Sequence, residues 1–335
     1  MIGYRIWRTR AWTAGCSRFR TERKRGREMT EHKFKLGMYL PELDLPFDES
    51  LAKAREIGAD YVWFNRLGND GPPMEELDDA GVDRLGKQVA SHGLEIFLIN
   101  VGNPFKQIHL TDLDLDCMEE HPEFRRDMAD LVRSMQMASR LGVGAVGLFT
   151  FAWPGEYSAA KPTWPMRWLT RGGHIADVDM EKLVRAFSLM LEQAERYDVD
   201  LALSMMPWNY TNTTGNFRRL AEALNSPRIK VMWGPSDNLN CGEADVATAG
   251  FLNIHPYLYG LHLKDLTVKD GLQLDFSYCP LGEGDVDYPA IFRSLRDRRS
   301  DAVLSVATHF LPASGSREEA MRINYANLER MIEES

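Results

Sequence analysis

The chain has 335 residues, of which 44% are hydrophobic and 27% are charged, and its formal net charge at pH 7 is −9. This is the composition of an ordinary globular protein, and the length allows either two domains or one large α/β barrel. The apolar stretches fall short of the ~18 uninterrupted apolar residues of a membrane-spanning helix, so the sequence excludes a membrane span.

The cysteines are isolated from one another along the chain, at Cys16, Cys117, Cys241 and Cys279. They form no CxxC pair and show no spacing typical of metal ligands. A disulfide scaffold and a zinc ribbon are therefore excluded. This cysteine usage indicates a reducing, cytoplasmic location.

The first 28 residues differ in charge from the rest. They hold nine Lys or Arg against Glu22 and Glu28, a balance of +7 that leaves −16 for the remainder. An arginine-rich segment of this kind is typical of an arm that binds nucleic acid or of an organelle-targeting peptide. Because Met29 follows directly, we expect residues 1–28 to be a disordered leader or a start-site artefact. The acidic remainder repels polyanions, so nucleic acid is not an expected partner of the folded part.

From Leu36 onward, short apolar runs alternate with longer amphipathic ones, which is typical of βαβ units around a parallel sheet. Strands are predicted over Leu36–Leu40, Asp60–Phe64, Glu95–Asn100, Gly144–Thr150, Asp200–Ser204, Ile229–Trp233, Tyr259–Leu263 and Ala302–Ala307. Helices are predicted near residues 48–57, 74–92, 121–141, 179–196, 215–225, 243–252, 287–298 and 316–333.

This alternation predicts a single α/β domain, a (β/α)8 TIM barrel over residues 35–334. A doubly wound sheet is the alternative fold. Such a sheet usually carries a glycine-rich phosphate-binding turn after an early strand, and the segment after the first strand reads Leu-Pro-Glu-Leu-Asp at residues 40–44. The sequence therefore favours the barrel.

The longest irregular insert runs from Phe151 to Val178, after the fourth strand, and contains Trp153, Trp164 and Trp168. Inserts of this length in a barrel lie at the carboxyl ends of the strands, where active sites are built. The tryptophans either cover a substrate or pack the insert onto the barrel.

Side chains alternate along a strand, so the polar residues that face the barrel axis can be identified. On the seventh strand Leu261 and Leu263 face the helices, which turns His262 and Lys264 inward. The same reasoning predicts a polar group at the barrel mouth that comprises Ser204, His262, Lys264, Ser305 and His309, with Asp237, Asn238, Asp265 and Glu283 on adjoining loops.

Five segments carry a resemblance to a known family, namely LALSMMPWN at 201–209, VMWGPSDNLN at 231–240, LHLKD at 261–265, PLGEGDVDY at 280–288 and LSVATHF at 304–310. The chain resembles the xylose isomerase-like barrels of the sugar isomerase and epimerase superfamily. The resemblance runs from about Lys35 to Glu334 and does not select a substrate.

In that family a Glu on the fifth strand, an Asp on the sixth, a His on the seventh and a Glu on the eighth hold one divalent metal, Mn²⁺ or Mg²⁺. Only His262 matches here. Ser204, Gly234 and Ala307 occupy the other three ligand positions. The two family glutamates also exchange protons with the substrate, so the substitutions remove ligands and acid–base groups together.

Three interpretations remain open. The first is an enzyme of related sugar chemistry that works by proton transfer without this metal site, or with one rebuilt from Asp237, His262, His309 and Glu283. The second is a non-catalytic relative that binds a sugar, and the third is an inactivated variant. For an enzyme we predict His262, Lys264, His309 and Asp237 as catalytic residues.

Further residues are predicted to bind the substrate. Trp208 and Asn209, after the fifth strand, suit the apolar face and the hydroxyl groups of a sugar, and Trp153 and Glu283 are candidates from adjoining loops. The expected ligand is a small unphosphorylated sugar, keto-sugar or cyclitol, because the mouth shows no glycine-rich phosphate turn and no arginine cluster. A homo-oligomer is among the expectations.

Overall fold

The computed structural model describes residues 32–153, 173–271 and 275–335, and residues 33–335 form one compact unit. The predicted leader, residues 1–28, lies outside the described residues, as do Trp164 and Trp168 of the insert. No helix in the described ranges combines the length and the apolar character needed to cross a bilayer.

Eight parallel strands close into a barrel, and a separate hairpin contributes two more strands, β8 (Asp265–Asp270) and β9 (Asp275–Cys279). The barrel strands are β1 Lys35–Tyr39, β2 Tyr61–Phe64, β3 Glu95–Ile99, β4 Ala145–Leu148, β5 Asp200–Ser204, β6 Ile229–Trp233, β7 Leu258–Leu263 and β10 Val303–Val306. Around the barrel they follow the order β1-β10-β7-β6-β5-β4-β3-β2. Each of the eight predicted strands is found, and the predicted (β/α)8 barrel is confirmed.

The helices pack around the strands. Their bounds are α1 Phe47–Ile57, α2 Asp79–Ser91, α3 Pro122–Leu141, α4 Asp177–Tyr197, α5 Thr214–Leu224, α6 Pro235–Asn240, α7 Phe251–Ile254, α8 Tyr288–Asp297 and α9 Arg317–Glu334.

Two helix predictions differ from the structure. The helix predicted from residue 74 begins at Asp79, because the side chain of Asp78 accepts a hydrogen bond from the Gly81 N–H and caps the first turn. The helix predicted over 243–252 is a π-helical turn at Val246–Gly250 followed by α7.

The β-hairpin after β7 was not predicted. Its strands β8 and β9 pair antiparallel outside the barrel. The carboxylate of Asp265 holds the connection that follows, since it accepts hydrogen bonds from the backbone N–H groups of Gly282 (2.9 Å) and Gly284 (3.1 Å).

The alternation of side chains along the strands is as predicted. Leu201, Leu203, Leu261 and Leu263 belong to the large core between strands and helices. The barrel interior is a separate apolar cluster of Trp63, Phe97, Leu98, Ala145, Ala202, Met232 and Val303. This interior cluster fills the barrel, as is usual in this fold, in which active sites lie at the carboxyl ends of the strands.

Candidate active site

The carboxyl ends of the strands surround a cavity of about 220 Å³. Its lining includes Tyr39, Glu42, Asn100, Lys106, Ser204, His262 and His309. A wider basin of about 440 Å³ adjoins it and shares Tyr39, Glu42 and His309 with it, and Arg66 and Arg317 line the basin's outer part. We call the inner space the mouth cavity.

His262 lies in the wall of the mouth cavity, as the alternation along β7 predicts. The edge of its ring faces Trp63 and Tyr39, with centroids 5.4 and 5.8 Å away. Burial, with the nearby charge of Lys264, holds the pKa of the imidazole well below its usual value, so the ring is neutral. Nε2 is buried and has no hydrogen-bond partner among the described residues.

Lys264 and Asp237 form an ion pair behind the cavity wall, with Nζ 3.0 Å from Oδ1 and side chains 3% and 5% exposed. Lys264 follows the end of β7, and Asp237 lies in the first turn of α6. Burial lowers the pKa of Lys264, but the charge and hydrogen bond of Asp237, together with Tyr278 and Glu42, raise it above its ordinary value. The sequence predicted both residues at the mouth, and the structure pairs them with each other.

His309 connects this pair to the mouth cavity. Its Nε2 accepts a hydrogen bond from Lys264 Nζ at 3.2 Å. Burial and the Lys264 charge lower the pKa of His309 to about 2, so its ring is neutral. Because Nε2 is the acceptor, the ring proton is on Nδ1, which lies 3.9 Å from Glu42 Oε1.

Glu42 is a site residue that the sequence reasoning missed. Its side chain is 10% exposed and lies 3.5 Å from the Arg317 guanidinium. Burial raises the pKa of this carboxyl to about 7, although Lys264, Arg317 and Arg66 oppose the effect. A carboxyl that titrates near neutral pH is suited to proton transfer. Its position in the Leu-Pro-Glu-Leu turn directly after β1 was the available signal.

Lys106 was also missed, because it lies in irregular structure after β3 that carries no motif. Its ammonium group lies 5.1 Å from the Phe149 ring centroid and 5.6 Å from that of Trp208. Burial and the charge of Lys264 lower its pKa to about 8. The backbone carbonyl of Lys106 accepts a hydrogen bond from Asn209 Nδ2 at 3.2 Å, which anchors the segment.

The predicted substrate-binding residues lie in different surroundings. Trp208 is half-buried beside Lys106, and Trp153 stacks on Tyr210 with ring centroids 4.0 Å apart. Asn209 is fully buried and donates to the Phe151 carbonyl at 2.7 Å. Glu283 is exposed in the turn between β9 and α8 and does not line the mouth cavity. Substrate binding by these four residues stays a prediction.

The residues present do not fit the divalent metal that the resemblance implies. A Cβ atom at Gly234 would lie 2.5 Å from Asp237 Oδ2, so this carboxylate already fills the space beside that ligand position. Ser204 offers a hydroxyl, Ala307 offers no donor, and the described residues contain no group of three His, Cys, Asp or Glu able to hold a metal. One imidazole and one ion-paired carboxylate are a poor ligand set for Mg²⁺ or Mn²⁺.

Solved structures share this fold. L-ribulose 3-epimerase superposes with a TM-score of 0.66 at 18% identity, covering 90% of this chain and 95% of that chain. A xylose isomerase-like TIM barrel protein from Mycobacterium smegmatis in complex with magnesium gives a TM-score of 0.65 at 15% identity, with coverages of 90% and 98%. For 3-keto-D-glucoside 4-epimerase from E. coli the TM-score is 0.62 at 16% identity, with coverages of 89% and 100%.

At these identities the structures establish the fold alone. A comparison with curated protein sequences finds no significant match. The model of the xylose isomerase-like TIM barrel family matches residues 51–328, which is most of the chain. The chain therefore belongs to the xylose isomerase-like TIM barrel family.

Proposed function

We propose that the protein is an enzyme that moves protons on a small unphosphorylated sugar, keto-sugar or cyclitol at the mouth of its barrel. The observation that carries the proposal is the mouth cavity, into which one carboxyl group and two neutral imidazoles converge from Glu42, His262 and His309. Pockets with converging polar groups of shifted pKa are the usual sites of catalysis. Sugar epimerases with the same fold support this substrate class.

A hydroxyl-rich ligand suits the unpaired polar atoms of the cavity. Asn100 Oδ1 and His262 Nε2 are buried, and neither has a hydrogen-bond partner among the described residues. Buried polar atoms without partners are costly, and sugar hydroxyls, which both donate and accept, satisfy them. Phe149 adds apolar surface to the lining of the same cavity.

Glu42 is the acid–base group best matched to the reaction. Its carboxylate takes a proton from the carbon beside the ligand's carbonyl, and the C–H electron pair forms the C=C bond of an enediolate while the carbonyl pair moves onto oxygen. Return of the proton to the former carbonyl carbon, with the hydroxyl proton of the deprotonated carbon passing to the former carbonyl oxygen, gives the isomer. The epimer requires a second acid that delivers a proton from the opposite face. A pKa of about 7 lets Glu42 serve in both directions near neutral pH.

The experiment is solvent exchange followed by ¹H NMR. The protein is incubated in D₂O with D-fructose, D-tagatose and a myo-inosose, and loss of the C–H signal next to the carbonyl is measured. We expect exchange with at least one ketose. In Glu42→Gln the rate should fall by about 100-fold or more, the order of effect that one acid–base group contributes. His262→Ala, which removes a polar contact to the ligand, should also lower the rate.

The matched control is Glu192→Gln, whose side chain is exposed on α4 and outside the mouth cavity. Its exchange rate should equal that of the parent. Full activity in a folded His262→Ala variant would remove His262 from the proposal.

A non-catalytic sugar-binding protein is the second candidate. Ser204 and Ala307 favour it, because they occupy the positions of the glutamates that exchange protons in the resembling enzymes. Calorimetric binding of a sugar together with no deuterium exchange at any concentration would establish this candidate and contradict the enzyme.

A further inference from the structure

The ammonium group of Lys106 lines the mouth cavity without a counter-ion of its own among the described residues. No carboxylate oxygen of the described residues lies within 4.0 Å of Lys106 Nζ. The rings of Phe149 and Trp208 contact it instead, at centroid distances of 5.1 and 5.6 Å. A partly desolvated cation is stabilised far better by an anion than by ring faces alone.

The nearest acidic groups are already engaged. Asp237 is paired with Lys264 at 3.0 Å, behind the cavity wall, so the two charges cancel. Glu42 lies 3.5 Å from Arg317 on the side of the outer basin. Both histidines that line the mouth cavity are neutral. Among the described residues, the ammonium of Lys106 is thus the charge of the inner cavity that has no partner of opposite sign.

We propose that the ligand of the mouth cavity carries a carboxylate group and that Lys106 binds it, so that the substrate is a sugar acid rather than a neutral sugar. This inference rests on the proposed function, because it takes the mouth cavity to be the ligand site. The hydroxyl groups of such a ligand meet the unpaired polar atoms Asn100 Oδ1 and His262 Nε2, and its single negative charge meets the unpaired ammonium of Lys106.

The charge state favours this role over others. An amine with a pKa of about 8 is mostly protonated at neutral pH, so Lys106 acts there as a cation and not as a nucleophile. A dianionic phosphate group would exceed the one charge that the inner cavity leaves unbalanced. One ammonium beside apolar rings fits a monovalent carboxylate.

The test compares ligands that differ only in this group. Binding of D-glucuronate and D-galacturonate is measured by titration calorimetry against D-glucose and D-galactose, with D-glucose 6-phosphate as a further arm. We expect each uronate to bind at least ten-fold more tightly than its hexose. Lys106→Met, which keeps the apolar stem, should abolish that preference, and Lys106→Arg, which keeps the charge, should retain it.

Lys87→Met is the matched control, because Lys87 is an exposed residue of α2 away from the mouth. It should bind every ligand as the parent does. Equal affinity for uronate and hexose in the parent, tighter binding of the phosphate, or a Lys106→Met variant that weakens hexose and uronate alike would each overturn the inference.

This outcome is separable from that of the proposed function. Deuterium exchange on neutral ketoses with no preference for uronates would leave the proposed enzyme standing and overturn the carboxylate inference. A preference for uronates that depends on Lys106, with no deuterium exchange on any ligand, would support the carboxylate inference and contradict the proposed enzyme.

Discussion

At the scale of single residues, the buried carboxyl of Glu42 couples stability to pH. Its pKa in the folded protein is about 7 against a reference of 4.5. A raised carboxyl pKa means that its contribution to stability is complete below about pH 4.5 and is lost as the pH rises through 7. One pKa unit corresponds to about 1.4 kcal/mol, so the loss by pH 8 is about 3 kcal/mol.

We therefore expect Glu42→Gln to match the parent in melting temperature at pH 4.5 and to exceed it increasingly from pH 5 to pH 8. The amide of the variant carries no titratable proton, and the difference between the two melting curves isolates this one group. The melting temperatures of both proteins are measured across the range in the same buffers. A difference that is constant with pH would contradict the shift.

The ion pair of Lys264 and Asp237 predicts how the protein responds to metal ions. The ammonium group of Lys264 already balances the carboxylate of Asp237, which lies beside Gly234, a ligand position that the resemblance implies. We expect the parent to purify without stoichiometric metal and its melting temperature to change by less than about 1 °C with Mn²⁺ or EDTA, because a ligand that does not bind cannot stabilise. Elemental analysis measures the metal content, and thermal unfolding measures the change in melting temperature.

A gain-of-function variant serves as the control for that prediction. Ser204→Glu, Lys264→Ala and Ala307→Glu together remove the competing cation and restore two carboxylates near Asp237 and His262. Mn²⁺ should raise the melting temperature of this variant by several degrees, about what 1–2 kcal/mol produces in a chain of this size. Stoichiometric metal in the parent would refute the prediction.

At the scale of elements, Asp265 holds the hairpin β8–β9 and the following connection to the barrel. It is 1% exposed, and its carboxylate accepts from the backbone N–H groups of Leu266, Gly282, Gly284 and Val286. A Cβ atom at Gly284 would collide with the same carboxylate. The turn is thus built around one buried side chain.

Asp265→Ala leaves those buried N–H groups without acceptors, at a cost of about 1–3 kcal/mol each before relaxation. We expect the free energy of unfolding in urea to fall by about 3 kcal/mol or more in this variant. In Asp265→Asn, which keeps one acceptor oxygen, the free energy of unfolding should fall by less. Asp275→Ala, at the exposed start of β9, should change it by under about 0.5 kcal/mol. Equal effects at positions 265 and 275 would argue against this role.

At the scale of the whole molecule, the barrel closes within residues 35–334. β1 begins at Lys35 and pairs with both β10 and β2, which completes the ring of eight strands. We expect a chain that starts at Met29 to melt within about 2 °C of the full chain, because residues 1–28 show no amphipathic pattern that would tie them to the core. A fall of more than a few degrees would contradict this expectation.

The sequence by itself determined the barrel and the direction of its strand side chains. Apolar alternation has a period of two residues and is a local property, so the sequence alone assigned His262 to the interior and Leu261 and Leu263 to the helix-facing core.

The sequence predicted His262 and His309 at the mouth, whereas only the tertiary structure decided that Glu42 and Lys106 share the mouth cavity with them and in what protonation state each group is. Glu42, Lys106 and His309 come from segments far apart in the chain, and their pKa values depend on burial and on neighbours that no local pattern encodes. The pairing of Lys264 with Asp237 likewise requires the ends of two strands to meet. The direction in which a strand side chain points is set by the period of two residues along the strand. The charges and pKa values of a site are set by distances between residues that are far apart in the chain.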